Sequence, residues 1–194
     1  PMADILLDMD GVIVDFMGRV FSIYAERHGR LYTDDEILEH DLASTVGWQV
    51  YDVMAGIFNE PGFFMSLAPY PGAVDVVNEV IDAGHHVEVC TSPTVIRGPN
   101  GVKKINAHCL HEKLEWIAHH LPRLAKQVTI TKNKRLVKGD FLVDDGDHNI
   151  LPWCQAHPAG LGLVVNRPWN SKMVLPQNSR RITLDELPRV LGIR

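Results

Sequence analysis

The chain has no apolar run approaching the ~20 residues that a membrane-spanning helix needs, so a membrane partner is not expected. Its first residues lack a basic stretch followed by an apolar one, and no secretory leader is expected either. Cysteine is scarce: Cys90, Cys109 and Cys154 are odd in number and far apart. Such spacing does not suit a disulfide framework or a zinc site, and fits reduced, buried thiols in a cytoplasmic protein. Positive charge is not in excess. A formal net charge of −5 argues against a nucleic-acid polymer as partner, although a local cationic cluster would suffice for a small phosphorylated ligand. The histidines show no ligand spacing, and His85-His86 and His119-His120 are expected at the surface. No internal repeat or low-complexity stretch appears.

What is present points to a packed core. The 194 residues suit one domain carrying an insertion, and a hydrophobic content of 45% is enough to fill it. The most informative segment is Asp8-Met9-Asp10-Gly11, placed directly after the apolar run Ile5-Leu6-Leu7. The run reads as a short buried strand, and Gly11 permits a sharp turn beyond it. Past the strand end, the two carboxylates can converge on one pocket. One can then attack an electrophile or bind a metal while the other handles protons.

Strands and helices alternate along the rest of the chain. A helix is expected from Asp15 to about Gly29, and Thr33-Asp34-Asp35-Glu36 matches a capping box opening a second. Residues 16–70 read as a helical insertion, broken at Pro61-Gly62. Pro71-Gly72 starts a helix that Gly84 ends. His86–Cys90 is a strand stopped by Thr91-Ser92-Pro93, Ala107 to about Leu121 a helix, and Val128–Ile130 a strand. Phe141–Val143 is a buried strand running into Asp144-Asp145-Gly146. Leu161–Val165 adds a strand, and Leu184–Leu191 a closing helix. The pattern predicts an α/β, Rossmann-like parallel sheet with helices on both faces, formed by 1–15 and 71–194, with a small helical cap at 16–70. Ligands of such sheets sit at the C-terminal strand ends, where every polar motif falls.

Those motifs are chemically compatible. Asp8 and Asp144 can share a hard cation such as Mg²⁺, which needs few carboxylates. Thr91, Ser92 and Lys134 can face phosphate oxygens. Acids, hydroxyls, a lysine and a metal are what phosphoryl transfer to a carboxylate requires. Alone, Asp8 and Asp10 are evenly balanced between chemistry and a cap or turn, Thr91-Ser92-Pro93 and Asp144-Asp145-Gly146 read more readily as turns, and Lys134 as a solvated lysine. Their joint, ordered occurrence at strand ends is what favours chemistry. A phosphatase of sugar phosphates or another small phosphomonoester stays open, as does a non-catalytic phosphate-binding module.

The order Asp8-x-Asp10-Gly11, Thr91, Lys134, Asp144-Asp145 resembles the haloacid dehalogenase (HAD) superfamily of phosphotransferases. Asp15-Phe16, Pro71-Gly72-Ala73, Thr91-Ser92-Pro93, Glu112-Lys113 with Trp116-Ile117, and Thr131-x-x-Lys134 are similar to the 5'(3')-deoxyribonucleotidase family within it. The resemblance implies an HAD-like core and hydrolysis of nucleoside monophosphates. Asp8 would be the nucleophile and form an aspartyl-phosphate, and Asp10 the general acid and base. That double role needs Asp10 to start with a proton, which a crowded acidic setting would favour. Mg²⁺ would be held by Asp8, the Asp10 backbone carbonyl and Asp144, with Asp145 orienting groups around it. Thr91, Ser92 and Lys134 would hold the phosphate. Phe16, Phe58, Phe64, Thr94 and Lys132 would form the substrate pocket, where aromatic faces stack on a base. The chain departs from the family in Thr94, where a larger apolar residue is usual, and in Lys132, where arginine is. The segment from Val95 to Asn106 reads as an extended loop without counterpart. The implied partner is a small nucleoside monophosphate, and a homodimer is one arrangement open to such a chain.

Overall fold

In a computed structural model, the described residues are 2–33, 36, 37, 39–97 and 103–194. In chain order the elements are β1 (Asp4–Leu7), α1 (Phe16–His28), α2 (Leu42–Val46), α3 (Trp48–Phe58), α4 (Ala73–Asp82) and β2 (His86–Thr91). Then follow β3 (Val95–Arg97), β4 (Lys103–Ile105), α5 (Ala107–His120), β5 (Val128–Ile130) and β6 (Phe141–Asp144). The chain closes with α6 (Asp147–Ala156), β7 (Leu161–Val165), β8 (Ser179–Ile182) and α7 (Leu187–Val190).

Six strands form one parallel sheet in the order β5-β2-β1-β6-β7-β8. The chain moves outward from β1 through β2 to β5, then returns to the other side of β1 at β6. This reversal beside β1 creates the crevice at which open parallel sheets bind ligands. Leu7 is level with Val89 on one side and Val143 on the other. Asp8, the next residue, therefore leaves the sheet between the ends of β2 and β6. The inner strands are continuous apolar runs because helices cover both faces. Leu7, Val89, Cys90, Leu142 and Val143 are at most 1% exposed.

The segment between β1 and α4 is helical and short-turned. Asp15 opens α1 by accepting from the Gly18 amide at 2.9 Å. Asp41 opens α2 the same way, through Ala43 N. Half of the expected capping box is present: Thr33 N donates to Glu36 Oε2 at 3.0 Å, but Glu36 N donates to the Thr33 backbone carbonyl at 3.0 Å and not to its hydroxyl. Asp34 and Asp35 of that motif lie outside the described residues. The strand-like connections into and out of the segment run side by side, with Asp15 N bonded to Ala68 O and Tyr70 N to Ile13 O. One apolar cluster continues from Leu7, Val89 and Val143 to Met54, Phe58 and Phe64.

Glu112 of α5 ties this segment down. It is 6% exposed, and its carboxylate accepts the amides of Gly62 at 2.6 Å and Phe64 at 2.9 Å. Both donors would lose their partner without it. Glu112→Ala is therefore expected to lower unfolding free energy by about 2–4 kcal/mol, read as a lower denaturant midpoint at unchanged slope.

Three features differ from the sequence expectation. The stretch from Val95 to Asn106 is not an extended loop but an antiparallel hairpin of β3 and β4, with Val95 opposite Ile105; its tip, 98–102, lies outside the described residues. A helix, α6, follows Asp144-Asp145 where none was expected, and it accommodates Pro152 in its interior. The strand β8 also went unanticipated: Ser-Arg-Arg-Ile is polar, and as an edge strand it buries only Ile182.

Candidate active site

The turn after β1 is built around one carbonyl. Met9 O accepts from the amides of Val12, Ile13 and Val14, while Gly11 takes φ +73°. A side chain at Gly11 would stand 2.1 Å from Asp145 Oδ2. Glycine is needed there for both reasons: the left-handed conformation, and the close approach of the next acidic loop.

Asp8 is 7% exposed. Its Oδ1 accepts from its neighbour's amide, Met9 N, at 2.8 Å and lies 2.8 Å from Lys134 Nζ. Burial pushes its carboxyl up to about 7; Lys134 opposes the shift, and Asp144 and Asp10 add to it. Lys134 is buried and also donates to Asp144 Oδ2 at 2.6 Å. Burial alone would lower its ammonium, but Asp144 and Asp8 outweigh it and hold the group above the usual lysine range. Asp144 is fully enclosed, accepting from Gly146 N at 2.8 Å and from the Asn149 amide at 3.1 and 3.2 Å. Asp145 accepts from Trp169 Nε1 at 2.7 Å. Burial, then the charges of Asp144 and Asp8, pushes its carboxyl well above the ordinary range. One oxygen each from Asp8, Asp144 and Asp145 lie within 4.8 Å of one another. Three buried carboxylates this close repel, so the set favours a hard divalent cation among them.

Asp10 has a setting that differs from the crowded acidic one expected. Its Oδ2 lies 2.5 Å from the Lys113 ammonium, and its Oδ1 is buried with no hydrogen-bond partner. Lys113 is completely buried and also donates to Thr91 Oγ1 and Ser92 O, both at 3.0 Å. Burial lowers its ammonium, but Asp10 and Cys109 reverse this, leaving it raised.

A cleft of about 510 Å³ opens over these groups. Asp8, Asp10, Phe16, Phe58, Ser92, Thr94, Lys132 and Asp145 line it. The rings of Phe16 and Phe58 are 5.5 Å apart on one wall. Lys132 stands in the same cleft; burial, then Lys113, lowers its ammonium.

Other predicted residues lie behind this surface. Phe64 is 0% exposed and packs beneath, with Lys113 Nζ 5.4 Å from its ring centre, so it offers no face to a ligand. Thr91 is likewise enclosed and turned to Lys113, and Lys134 and Asp144 face each other rather than the cleft. Ser92 lines the cleft, but its hydroxyl donates to Thr131 O at 3.3 Å.

Lys113 received no role from the sequence, although a signal was there. The buried face of α5 carries Cys109, Glu112, Lys113, Trp116 and Ile117, which is helical spacing. Two charged residues on an apolar stripe need partners, and both have them. Trp169, Arg167 and Asn149 were also missed.

With this geometry in place, likenesses to known proteins become informative. A family model described as 5' nucleotidase, deoxy (pyrimidine), cytosolic type C protein matches residues 2–175. Human 5'(3')-deoxyribonucleotidase, cytosolic type, is 31% identical over 185 residues, covering 92% of this chain and 87% of that protein. Among solved structures, an HAD family hydrolase from Deinococcus radiodurans R1, with bound phosphate and sodium, matches at TM-score 0.59 and 18% identity. The match covers 100% of this chain and 96% of that one. An HAD hydrolase from Bacillus subtilis bound to magnesium matches at TM-score 0.56 and 14% identity, over 98% and 99% of the two chains. These two structures show the fold alone. The chain belongs to the 5'(3')-deoxyribonucleotidase family of the HAD superfamily, and it is a phosphoric monoester hydrolase of the nucleotidase type.

Proposed function

We propose that this protein is a Mg²⁺-dependent hydrolase of deoxyribonucleoside and ribonucleoside monophosphates that works through a phosphorylated Asp8. The observation that carries this reading is the Asp8–Asp10 pair at the floor of an aromatic-walled cleft, one carboxylate at the acidic triad and the other bound to Lys113. The donor set suits Mg²⁺, because buried oxygen ligands of like charge are what a hard cation stabilises. Asp8, the Asp10 backbone carbonyl and Asp144 would hold it, with Asp145 beside them. When bound, the ion neutralises carboxylate and phosphoryl charge. A hydrolase of the same fold from Bacillus subtilis is bound to magnesium, in keeping with this choice.

Asp8 attacks the phosphorus, the ester P–O bond breaks, and Asp10 gives its proton to the departing sugar oxygen. Asp10 then takes a proton from the water that attacks the aspartyl-phosphate, and Asp8 is restored with release of phosphate. Lys113 keeps Asp10 aimed in both halves. Ser92 and Lys132 would meet the phosphate from the cleft wall, with Thr91 and Lys134 behind them fixing Lys113 and Asp8. Phe16 and Phe58 would stack on the base, with Thr94 beside them, and residues 16–70 would act as the cap. Among the described residues no helix is long and apolar enough to cross a membrane, and the cytosolic-type human relative supports a cytoplasmic setting.

The test is phosphate release with Mg²⁺ across 5'- and 3'-deoxyribonucleotides, ribonucleotides and sugar phosphates. Preference for nucleoside monophosphates is expected; preference for sugar phosphates would remove the stacking role from Phe16 and Phe58. Asp10→Asn is expected to slow turnover about 10²–10⁴-fold while calorimetric Mg²⁺ binding stays close to wild type, since only its backbone would touch the ion. Loss of Mg²⁺ binding in that variant would contradict the division of roles.

A further inference from the structure

The two acid-bearing loops, Asp8–Gly11 and Asp144–Asp145, come from different strands and touch where Gly11 meets Asp145. A third element grips both. After β7, the turn Arg167-Pro168-Trp169-Asn170 sends Arg167 Nε to Gly11 O at 2.6 Å and Trp169 Nε1 to Asp145 Oδ2 at 2.7 Å. Asn170 donates to Asp145 O at 2.9 Å and to Val165 O at 2.8 Å, fixing the turn to both strand ends. The turn is itself braced. The Arg167 guanidinium lies 3.8 Å over the Tyr70 ring, whose hydroxyl donates to Asp15. From the edge strand, Arg181 donates to Asn170 Oδ1 at 2.8 Å.

We infer that Arg167 and Trp169 are positioning residues, and that this turn is a clamp setting the spacing between the Asp8 loop and Asp145. The inference rests on the Mg²⁺-dependent reading above. A carboxylate with one oxygen already held by an indole N–H presents the other in a fixed direction, and such outer partners commonly govern metal affinity. The guanidinium acts on the other loop: it removes the freedom of the Gly11 carbonyl, and with it that of the turn carrying Asp8 and Asp10. The two residues should therefore fail in different ways. Trp169 acts through Asp145 beside the ion, whereas Arg167 acts through the turn that carries both reacting carboxylates and so reaches the chemical step even when the ion is saturating.

The experiment compares wild type, Trp169→Phe and Arg167→Lys by calorimetric titration of Mg²⁺ into substrate-free protein, together with kcat and KM at saturating Mg²⁺. Trp169→Phe keeps an aromatic six-membered ring but removes the indole N–H together with the five-membered ring that carries it; Mg²⁺ affinity is expected to fall about 10-fold or more. Arg167→Lys keeps the charge; kcat at saturating Mg²⁺ is expected to fall about 10-fold with KM little changed, and Mg²⁺ affinity is expected to fall as well, because the same turn carries Asp8 and the Asp10 carbonyl. Wild-type Mg²⁺ affinity in a folded Trp169→Phe would overturn the clamp while leaving the proposed function standing. Absence of Mg²⁺ binding by wild type would overturn the proposed function and the clamp with it. If Trp169→Phe does not fold, Arg167→Lys decides, and an unchanged kcat overturns the inference.

Discussion

Asp8→Asn is expected to lower turnover at least about ten-thousand-fold, and at neutral pH without metal to make the protein more stable. The two effects have one cause. The Asp8 carboxyl is pushed up to about 7 from an ordinary 3.8, first by burial and further by Asp144 and Asp10, against the opposing pull of Lys134. Its environment therefore disfavours the charged form that chemistry needs. Between those two values the native state keeps a proton that the unfolded chain releases. Stability of the metal-free protein thus falls as pH rises from about 4 to about 7, and the loss is complete above that window. Asp145 is shifted in the same direction, first by burial and then by the charges of Asp144 and Asp8. An asparagine at position 8 cannot ionise and removes this part of the pH dependence. Lys134 keeps Asp144 as its partner at 2.6 Å, so no buried ammonium is stranded. Denaturant unfolding in the presence of a chelator, across pH 4–8, checks the sign: wild type should weaken with pH, and Asp8→Asn should weaken less. A reacting group held against its preferred protonation state is a common place for activity to oppose stability.

Lys113→Met is expected to have the opposite character, costing both stability and activity. The ammonium is fully buried and is shared among Asp10 Oδ2, Thr91 Oγ1 and Ser92 O. Methionine fills the volume but donates nothing. Removing one member of a buried pair leaves the other uncompensated, at a cost of about 3–5 kcal/mol. Asp10 would lose its only hydrogen-bonded oxygen, since Oδ1 already lacks a partner. Turnover should fall about 10²–10⁴-fold with the general acid no longer aimed. Combining the variant with Asp10→Asn separates the terms. If the penalty comes from a stranded carboxylate, the double variant will be more stable than Lys113→Met alone, a coupling that a cycle of four melts measures. Strict additivity would mean that Lys113 acts through packing.

How much of this could be read from residues alone follows from where chemistry meets periodicity. Asp8, Thr91 and Asp144 stand at the ends of apolar runs, so their place at one edge of a parallel sheet was legible without coordinates. What spacing does not carry is direction. Phe64 has the composition of a stacking residue, yet the short helical turn at Phe64–Ser66 sends it into the core. Thr91 and Lys134 are near the reacting groups, but each is engaged by another protein group before any ligand arrives. Lys113 sits on a helix, where a lysine is ordinarily solvated. Only its place on the buried stripe marks it out. Arg167 and Trp169 lie beyond β7 in a stretch of turns without periodicity, so nothing in their spacing points back to Gly11 or Asp145, 156 and 24 positions earlier in the chain.

The measurement that bears most directly on the account is acid-quenched trapping of the enzyme during turnover of a nucleoside monophosphate labelled in its phosphate, followed by peptide mapping. The account predicts a hydroxylamine-sensitive phosphoryl group on the peptide carrying Asp8, absent in Asp8→Asn and longer-lived in Asp10→Asn. Turnover with no label on that peptide, or label at any other residue, would contradict it.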